Sequence, residues 1–481
     1  MAALQKTFLG SLLLLVLLNA LVKPLWIFGI DRNVQNLTGF AAYGRYFAML
    51  GFCLVFGFLL DPGLNIHLNR QAASRPSERV GLFWDTLYTK AVLVAVYALI
   101  VMAFAWLSGI RDPGFVLPYV ALVTLISLLG FLRTFLSAAQ RYRQDAVLSV
   151  LDKAIVIAAT GGMMLFPNVW GPVTIDRFVA VQALAIALSV GLATVFIARY
   201  VEGFTFLPFR GFRRDLLLSS LPFALNNFLM TVILRSDAFL LERLHPDGAH
   251  EAGVYAAGFR ILDAFSMMGT LIGGFLLSFI ARHWPERTAI EPTLAIARRA
   301  LICVAILIGV TGSVLPEYLT DLLYHRSDAP LAAVMRTVLL ALPGLSLVSI
   351  YGTLLTATGH VGAFIRISLA YALVLVILDI LLIPAYGALA CSTVAVAVET
   401  AYAFSLIRAA RRLTGIGLHP GEGLSYLFVA LMGFGAIRIL VYLGVNAPLA
   451  VGLTGATAVG LFYAILGIRF RLPASERDPR P

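Results

Sequence analysis

Long apolar stretches separated by short polar connections follow one another along the whole chain. A helix that crosses a bilayer needs about 20 mostly apolar residues, and on that rule the pattern predicts fourteen spans. They cover approximately residues 8–30, 40–60, 87–108, 114–138, 146–167, 174–200, 217–241, 253–281, 300–316, 332–356, 362–384, 387–408, 424–444 and 447–467. The stretch 317–331 is predicted to form a short interfacial helix. The pattern therefore predicts an all-α polytopic membrane protein.

The composition agrees with this class and leaves no room for a soluble domain. The chain has 481 residues, of which 60% are hydrophobic and 13% are charged, about half the charge of an ordinary soluble protein. The longest connection, residues 61–86, is about 26 residues long, so any function must lie in the helices. We expect the first apolar run to remain as a transmembrane helix, because it is too long for a signal peptide and contains Lys23.

The distribution of Lys and Arg predicts the orientation. With the N-terminus inside, the inner connections hold 21 of these residues and the outer connections hold 4, as the positive-inside rule requires. We therefore predict that both termini are cytoplasmic and that the chain lies in a bacterial inner (plasma) membrane. The net charge of +11 is then mostly a topology signal, and no nucleic-acid partner is expected.

A weak internal repeat divides the chain. The segment Gly44-Arg-Tyr-Phe-Ala48 is similar to Gly253-Val-Tyr-Ala-Ala257, at an offset of 209 residues. Each copy would hold six spans in the same orientation, related by a pseudo-two-fold axis along the membrane normal. We predict two six-helix lobes, residues 1–210 and 211–412, followed by two additional helices and a short cytoplasmic tail in residues 413–481.

Cations inside a hydrocarbon slab are expensive, so they normally face protein or a wet cavity. Four of them fall at similar depth in the outer half of spans 1, 2, 7 and 8, namely Lys23, Arg45, Arg235 and Arg260. If these spans face each other, they form a basic chamber suited to a phosphate or pyrophosphate. Alternatively, these side chains snorkel outward, or Arg260 pairs with Asp263 and Arg235 with Asp237.

Polar residues accompany these cations. Asn19 shares a helical face with Lys23, and Asn226 lies nearly on the face of Asp237, so both amides are candidates for the same chamber. Three carboxylates, Asp237, Asp379 and Glu399, fall inside spans and suggest coupling to an ion or proton. The alternative for Asp379 and Glu399 is pairing with a buried arginine such as Arg366.

Other chemistry is not indicated. The three cysteines fall inside apolar spans and the seven histidines in loops or at span ends, so no disulfide framework, metal site or catalytic residue is predicted. The absence of a Walker A sequence argues against ATP-driven transport by this chain. We expect no cofactor and no enzymatic activity.

Several segments resemble a known family. KPLWIFGIDRNVQ, YGRYFAML and LLDPGL in the first two spans, and SSLPFALNNFLMTVILRSDAFLL followed by GVYAAGFRILDA in the seventh and eighth, are similar to the oligosaccharide flippases. These form the polysaccharide-transporter branch of the multidrug/oligosaccharidyl-lipid/polysaccharide (MOP) exporter superfamily. The resemblance covers essentially the whole chain, but its motifs are diffuse.

This resemblance implies a specific fold and substrate. The two lobes would form a V around a cavity lined by spans 1, 2, 7 and 8. Polyprenyl-pyrophosphate-linked oligosaccharides, of the O-antigen or exopolysaccharide type, would move from the cytoplasmic to the periplasmic leaflet by alternating access. The partners would be this lipid-linked glycan, the bilayer, and polysaccharide polymerase or ligase machinery.

Three other functions remain open. A lipid II flippase of the same superfamily cannot be separated from this interpretation by sequence. A cation-coupled multidrug exporter should carry carboxylates in its first and seventh spans, and the first span of this chain has a lysine and no internal acid. A membrane-embedded glycan polymerase needs a sizeable periplasmic loop, whereas the longest predicted outer connection has about 15 residues.

Overall fold

The computed structural model describes residues 17–19, 21–74, 76–201, 204–206, 208, 214–284, 286–325 and 328–466, and every element in these ranges is helical. Three predicted features lie at least partly outside the described residues. They are the start of the first span at residues 8–16, the end of the last span at residue 467, and the lobe boundary at residues 210 and 211.

The helices follow one another with short connections. In chain order, the first nine are α1 (π-helical, Leu25–Asp31), α2 (Arg32–Thr38), α3 (Phe40–Val55), α4 (Leu64–Ser74), α5 (Arg79–Leu107), α6 (Pro113–Ala138), α7 (Tyr142–Leu165), α8 (Pro167–Trp170) and α9 (Ile175–Tyr200). The others are α10 (Arg214–Leu244), α11 (Gly248–His283), α12 (Arg287–Val314), α13 (Pro316–Tyr324), α14 (Ala329–Val338), α15 (Leu342–Ala357), α16 (Val361–Thr414), α17 (Pro420–Tyr442) and α18 (Ala447–Leu466). Short 3-10 turns cover Phe56–Leu59, Pro76–Glu78 and Leu339–Ala341.

Within the described residues, eleven helical stretches are long and apolar enough to cross a membrane, so the chain is a multi-pass membrane protein. One of them, α16, has 54 residues and breaks at Gly387, where φ is 53° and ψ is −134°. This break falls at the start of the span predicted over 387–408. The short helix predicted after the ninth span is α13. The number of fourteen spans stays a prediction.

Local chemistry explains where the helices begin and break. Asp112 accepts a hydrogen bond from the N–H of Gly114 at 2.9 Å, and Pro113 follows it as the first helical residue of α6, a favoured start for a helix. At the break in α16, the N–H of Ala388 donates to the Glu251 carboxylate of α11 at 2.7 Å. The break therefore leaves that backbone donor satisfied.

The chain packs as two compact units. The first unit comprises residues 1–260 and 365–394, and the second comprises residues 261–364 and 395–481. The core of the first unit includes Phe83, Phe131 and Phe135. In the second unit, Ile302 and Ile306 of α12 pack with Val429 and Ile437 of α17. The predicted division into segments 1–210, 211–412 and 413–481 stays a prediction.

One intramembrane cation of the first unit stabilises a helix end. Lys90 of α5 is 2% exposed and donates to the carbonyl of Leu60 at 2.8 Å and to the hydroxyl of Ser127 at 2.7 Å. Leu60 directly follows a 3-10 turn, and the carbonyls at a helix end lack helical partners. The ammonium group therefore caps this turn.

Candidate functional site

A buried ion pair in the first unit joins the end of the first predicted span to the second and eighth. Arg260 of α11 donates from Nε to the Asp31 carboxylate at 3.0 Å, and from Nη2 to the Asp31 backbone carbonyl at 3.4 Å. The hydroxyl of Tyr43 on α3 lies 2.8 and 2.9 Å from the two oxygens of the same carboxylate. The guanidinium also lies 5.0 Å from the centre of the Tyr43 ring. Arg260 is 5% exposed, so this cation is neutralised inside protein.

Asp31 is the residue that sequence reasoning missed. The hydropathy pattern ends the first span at residue 30, but the helix continues without interruption from α1 into α2. Asp31 therefore lies on a helix and not in a loop. Arg260 pairs with this carboxylate, which lies 229 residues away in the chain, while its pairing with the nearby Asp263 stays a prediction. A carboxylate directly after an apolar span, in a chain with several intramembrane arginines, was the available signal.

Beside this ion pair, α3 and α11 approach each other at two glycines. A Cβ atom on Gly44 would overlap the backbone carbonyl of Ala249, and a Cβ atom on Gly253 would overlap that of Phe40. The side chain of Gln35 also donates to the Gly253 carbonyl at 2.8 Å. Only residues without a side chain allow this separation.

The two glycine contacts are reciprocal. Phe40 and Ala249 are 209 residues apart, as are Gly44 and Gly253. Gly44 contacts Ala249 and Gly253 contacts Phe40, so each glycine contacts the residue equivalent to the one that the other glycine contacts. Reciprocal contacts of this kind are the signature of a two-fold relation, and they support the internal repeat at this crossing.

The remaining predicted cations differ in their surroundings. The guanidinium of Arg235 lies 5.2 Å from the ring of Phe259, the residue that precedes Arg260 in the chain. Arg45 is exposed in the first turns of α3, and Lys23 is half-buried. The shared chamber of the four cations stays a prediction.

The two predicted amides also differ. Asn19 is buried and donates to the hydroxyl of Ser149 on α7 at 2.9 Å. This hydrogen bond ties the first predicted span to the fifth. Asn226 of α10 is half-buried, and its Oδ1 atom accepts no hydrogen bond from another described residue. Of the two, Asn226 has the more available acceptor.

Two buried carboxylates of the first unit lie side by side. Asp237 is 3% exposed and Asp379 is fully buried, and their carboxyl groups are within hydrogen-bonding reach of each other. Tyr255 donates to Asp237 at 2.6 Å. Among the described residues, no group donates to either oxygen of Asp379 or to Oδ1 of Asp237. Two like charges this close and this dry require a shared proton or a cation.

The third predicted coupling residue lies elsewhere. Glu399 is 5% exposed and belongs to the second unit, where Gly344 of α15 packs against its backbone. Asp237 and Asp379 belong to the first unit. The structure therefore pairs two of the three predicted carboxylates with each other.

The second unit has a buried ion pair that the sequence did not predict. Arg298 of α12 is 3% exposed and donates to the Glu422 carboxylate of α17 from two nitrogens. Arg299 donates to the same carboxylate at 3.1 Å, and the hydroxyl of Tyr426 also donates to it. Arg298 also donates to the hydroxyl of Tyr351 at 2.9 Å. This network fastens α17 to α12.

The fold defines a class, the multi-pass helical membrane proteins. Among solved structures, the chain is similar to the lipid II flippase MurJ in an inward closed conformation, with a TM-score of 0.69 and 12% identity over 94% of this chain and 99% of that one. It is also similar to an inward-facing multidrug resistance MATE transporter of the MOP superfamily, with a TM-score of 0.60 and 14% identity over 83% and 94%. A MOP superfamily transporter from Pyrococcus furiosus gives a TM-score of 0.59 and 14% identity over 84% and 94%.

The sequence assigns the family more closely. Residues 8–277 match the model of the family described as "Polysaccharide biosynthesis protein", and the chain belongs to that family. A sequence comparison with curated proteins finds no match. The family match confirms the resemblance to polysaccharide biosynthesis proteins, and the likeness to MurJ and MATE shows that the chain has their fold.

Proposed function

We propose that this protein is a flippase for polyprenyl-pyrophosphate-linked oligosaccharide repeat units, of the O-antigen or exopolysaccharide type. It would act in a bacterial inner membrane with both termini in the cytoplasm, and would move its substrate from the cytoplasmic to the periplasmic leaflet. Membership of the polysaccharide biosynthesis family supports this substrate class. The proposal assigns transport, and no covalent chemistry, to the chain.

The observation that carries the proposal is the contact of α11 with α1 and α3. Alternating access requires a contact that closes one side and can open again. In this protein the buried guanidinium of Arg260 joins α11 to Asp31 of α1, and a glycine crossing joins α11 to α3. When the contact separates, water replaces the lost hydrogen bonds of Asp31 and Arg260. The contact would therefore act as a reversible gate.

The same cations serve the substrate. Guanidinium groups bind phosphate oxygens through paired hydrogen bonds, so Arg260 released from Asp31 would bind the pyrophosphate together with Lys23 and Arg235. Arg45, which is exposed, would attract the headgroup at the rim. Asn226 would contribute an amide, while Asn19, bonded to Ser149, would position the first span.

Asp237 and Asp379 would couple transport to an ion gradient. Their shared, dry environment binds a proton or a small cation in preference to two free negative charges. Occupation of this site would change the packing of α10 against α16, the two helices that carry it. Glu399 would form a separate site in the second unit.

Two alternatives have different support. A lipid II flippase is favoured by the MurJ-like fold, and it would use the same gate and cations. An exporter of cationic drugs would need an available carboxylate near the first span. Asp31 lies near the first span, but Arg260 and Tyr43 already bind its carboxylate. This alternative is therefore weaker. A glycan polymerase has no supporting observation.

Leaflet-resolved flipping in proteoliposomes tests the proposal. Purified protein would be reconstituted with a fluorescent polyprenyl-pyrophosphate oligosaccharide or with lipid II, with and without a proton or sodium gradient. We expect flipping of the oligosaccharide lipid and its loss in Lys23→Ala, with normal flipping in the control Arg111→Ala. Flipping of lipid II alone would instead establish the first alternative, and flipping of neither would refute both.

A further inference from the structure

The second unit contains a cavity with two arginines that the proposed transport does not use. Its volume is about 460 Å³, and its walls come from α12, α14, the Leu339–Ala341 turn and α17. Arg336 and Arg438 line it, together with Ser313 and apolar residues such as Val310, Val314 and Phe434. The volume lies in the range of small-molecule sites.

The charge in this cavity is not typical of its surroundings. A second cavity of the same unit, of about 780 Å³, is lined by seventeen residues without a Lys, Arg, Asp or Glu among them. Both arginines are exposed at the smaller cavity, and two cations beside apolar walls cost free energy where lipid covers them unless an anion accompanies them. An anion between them would offset that cost.

The net charge of the side chains at the cavity indicates which kind of anion it would bind. Arg336 donates from Nη2 to Glu317 of α13 at 3.3 Å, which engages one of the five N–H donors of its guanidinium. The guanidinium of Arg438 lies 5.6 Å from the Phe434 ring. Two arginines and one glutamate give a net charge of +1, which matches a single phosphodiester and not a pyrophosphate.

The depth of the two arginines also fits a lipid headgroup. Arg336 lies seven residues after the start of α14, and Arg438 lies four residues before the end of α17. At 1.5 Å per residue these positions are about 10 Å and 6 Å from the helix ends, which the Lys and Arg distribution predicts to be the outer ends. This is the level at which headgroup phosphates meet acyl chains.

We propose that this cavity binds an anionic phospholipid of the outer leaflet. Its phosphodiester would lie between Arg336 and Arg438, and an acyl chain would pack along Val310, Val314 and Phe434. The arginines supply charge-assisted hydrogen bonds, and the apolar wall favours a chain over a soluble phosphate. The lipid would bridge α14 and α17, so it is a structural ligand that is separate from the transported substrate.

Native mass spectrometry of the full-length protein tests this. The protein would be released from nanodiscs that contain equal amounts of phosphatidylglycerol and phosphatidylethanolamine, and retained lipids would be counted. We expect about tenfold preferential retention of phosphatidylglycerol. Arg336→Gln/Arg438→Gln should abolish the preference. Arg111→Gln/Arg177→Gln, which removes two other exposed arginines, should retain it.

A second measurement needs no variant. A photoreactive phosphatidylglycerol should label peptides containing residues 310–314 or 434–438 of the wild-type protein. Inorganic phosphate at millimolar concentration should not displace the lipid. Equal retention of the two lipids, unchanged preference in the Arg336→Gln/Arg438→Gln protein, labelling elsewhere, or displacement by inorganic phosphate would each overturn the proposal.

Discussion

Two buried arginine–carboxylate pairs, one in each unit, use the same chemistry with different numbers of partners. In the first unit, Asp31 accepts from Arg260 and from Tyr43. In the second, Glu422 accepts from Arg298, Arg299 and Tyr426. Both Arg260 and Arg298 side chains are 4% exposed, but the Asp31 side chain is 16% exposed and the Glu422 side chain is 6% exposed.

The difference separates a contact that can open from one that holds. Burying an ion pair contributes little net stability, but removing one partner leaves an uncompensated charge. With two arginines and an apolar core around it, Glu422 cannot separate without exposing several groups. Asp31 has one arginine, partial access to water and a neighbouring glycine crossing. We therefore regard the first pair as a gate and the second as an anchor.

The largest expected effect is on the anchor. Glu422→Ala leaves Arg298 buried without its carboxylate, so the free energy of unfolding should fall by about 3–5 kcal/mol. Thermal unfolding in detergent measures this. Glu317→Gln is the control, because its pair with Arg336 is more than half exposed and should contribute less than about 1 kcal/mol. Similar losses in both proteins would contradict the anchor.

A substitution at the gate should reduce transport more than it reduces stability. Arg260→Gln removes both the gate cation and a proposed pyrophosphate ligand, so flipping should fall about a hundredfold. Its unfolding temperature should fall less than that of Glu422→Ala, because Asp31 retains Tyr43 and water. Arg282→Gln, an exposed position on the same helix, is the control and should flip normally. If the Arg260→Gln protein unfolds as readily as the Glu422→Ala protein, the distinction between a gate and an anchor is wrong.

The glycine crossing should be the next most sensitive. Gly253→Val places a side chain where the Phe40 carbonyl lies, so the gate cannot close and flipping should fall about tenfold or more. Gly274→Val on the same helix meets open space and serves as the control. Proteoliposome flipping compares the two, and equal activity would show that close approach of α3 and α11 is unnecessary.

A substitution in the Asp237–Asp379 pair should have the smallest effect on flipping. Asp379→Asn removes one of two neighbouring negative charges and so lowers the free-energy cost of burying them. The protein should therefore remain folded. We expect it to lose the few-fold stimulation of flipping by an ion gradient, while Asp176→Asn, an exposed control, keeps it. If an ion gradient still stimulates flipping by the Asp379→Asn protein, this pair does not couple transport to the gradient.

Much of the fold was predictable because hydropathy alone dictates it. Apolar length marks the spans, and the break at Gly387 falls at the start of a predicted span. Arg260 is buried in protein, which is one of the alternatives that its depth in the sequence left open. A local pattern cannot find its partner, since Asp31 is 229 residues away.

Charge counting does not reveal the structural role of two arginines in the second unit. Arg298 and Arg299 count as inner-connection charges in the topology argument, yet α12 begins at Arg287 and carries both residues in its first half. Their role depends on Glu422, more than 120 residues later. Only packing reveals which topological charges are also structural.

A crosslink across the gate would show whether this contact must open during transport. Phe40 and His250 face each other across it, with ring centres 5.9 Å apart. A protein with Phe40→Cys and His250→Cys, and with Cys53, Cys303 and Cys391 replaced by serine, would be joined by a short reducible thiol crosslinker and assayed for flipping of the lipid-linked oligosaccharide. We predict no flipping when crosslinked and full recovery after reduction. Flipping that continues in the crosslinked protein would contradict a gate at this contact.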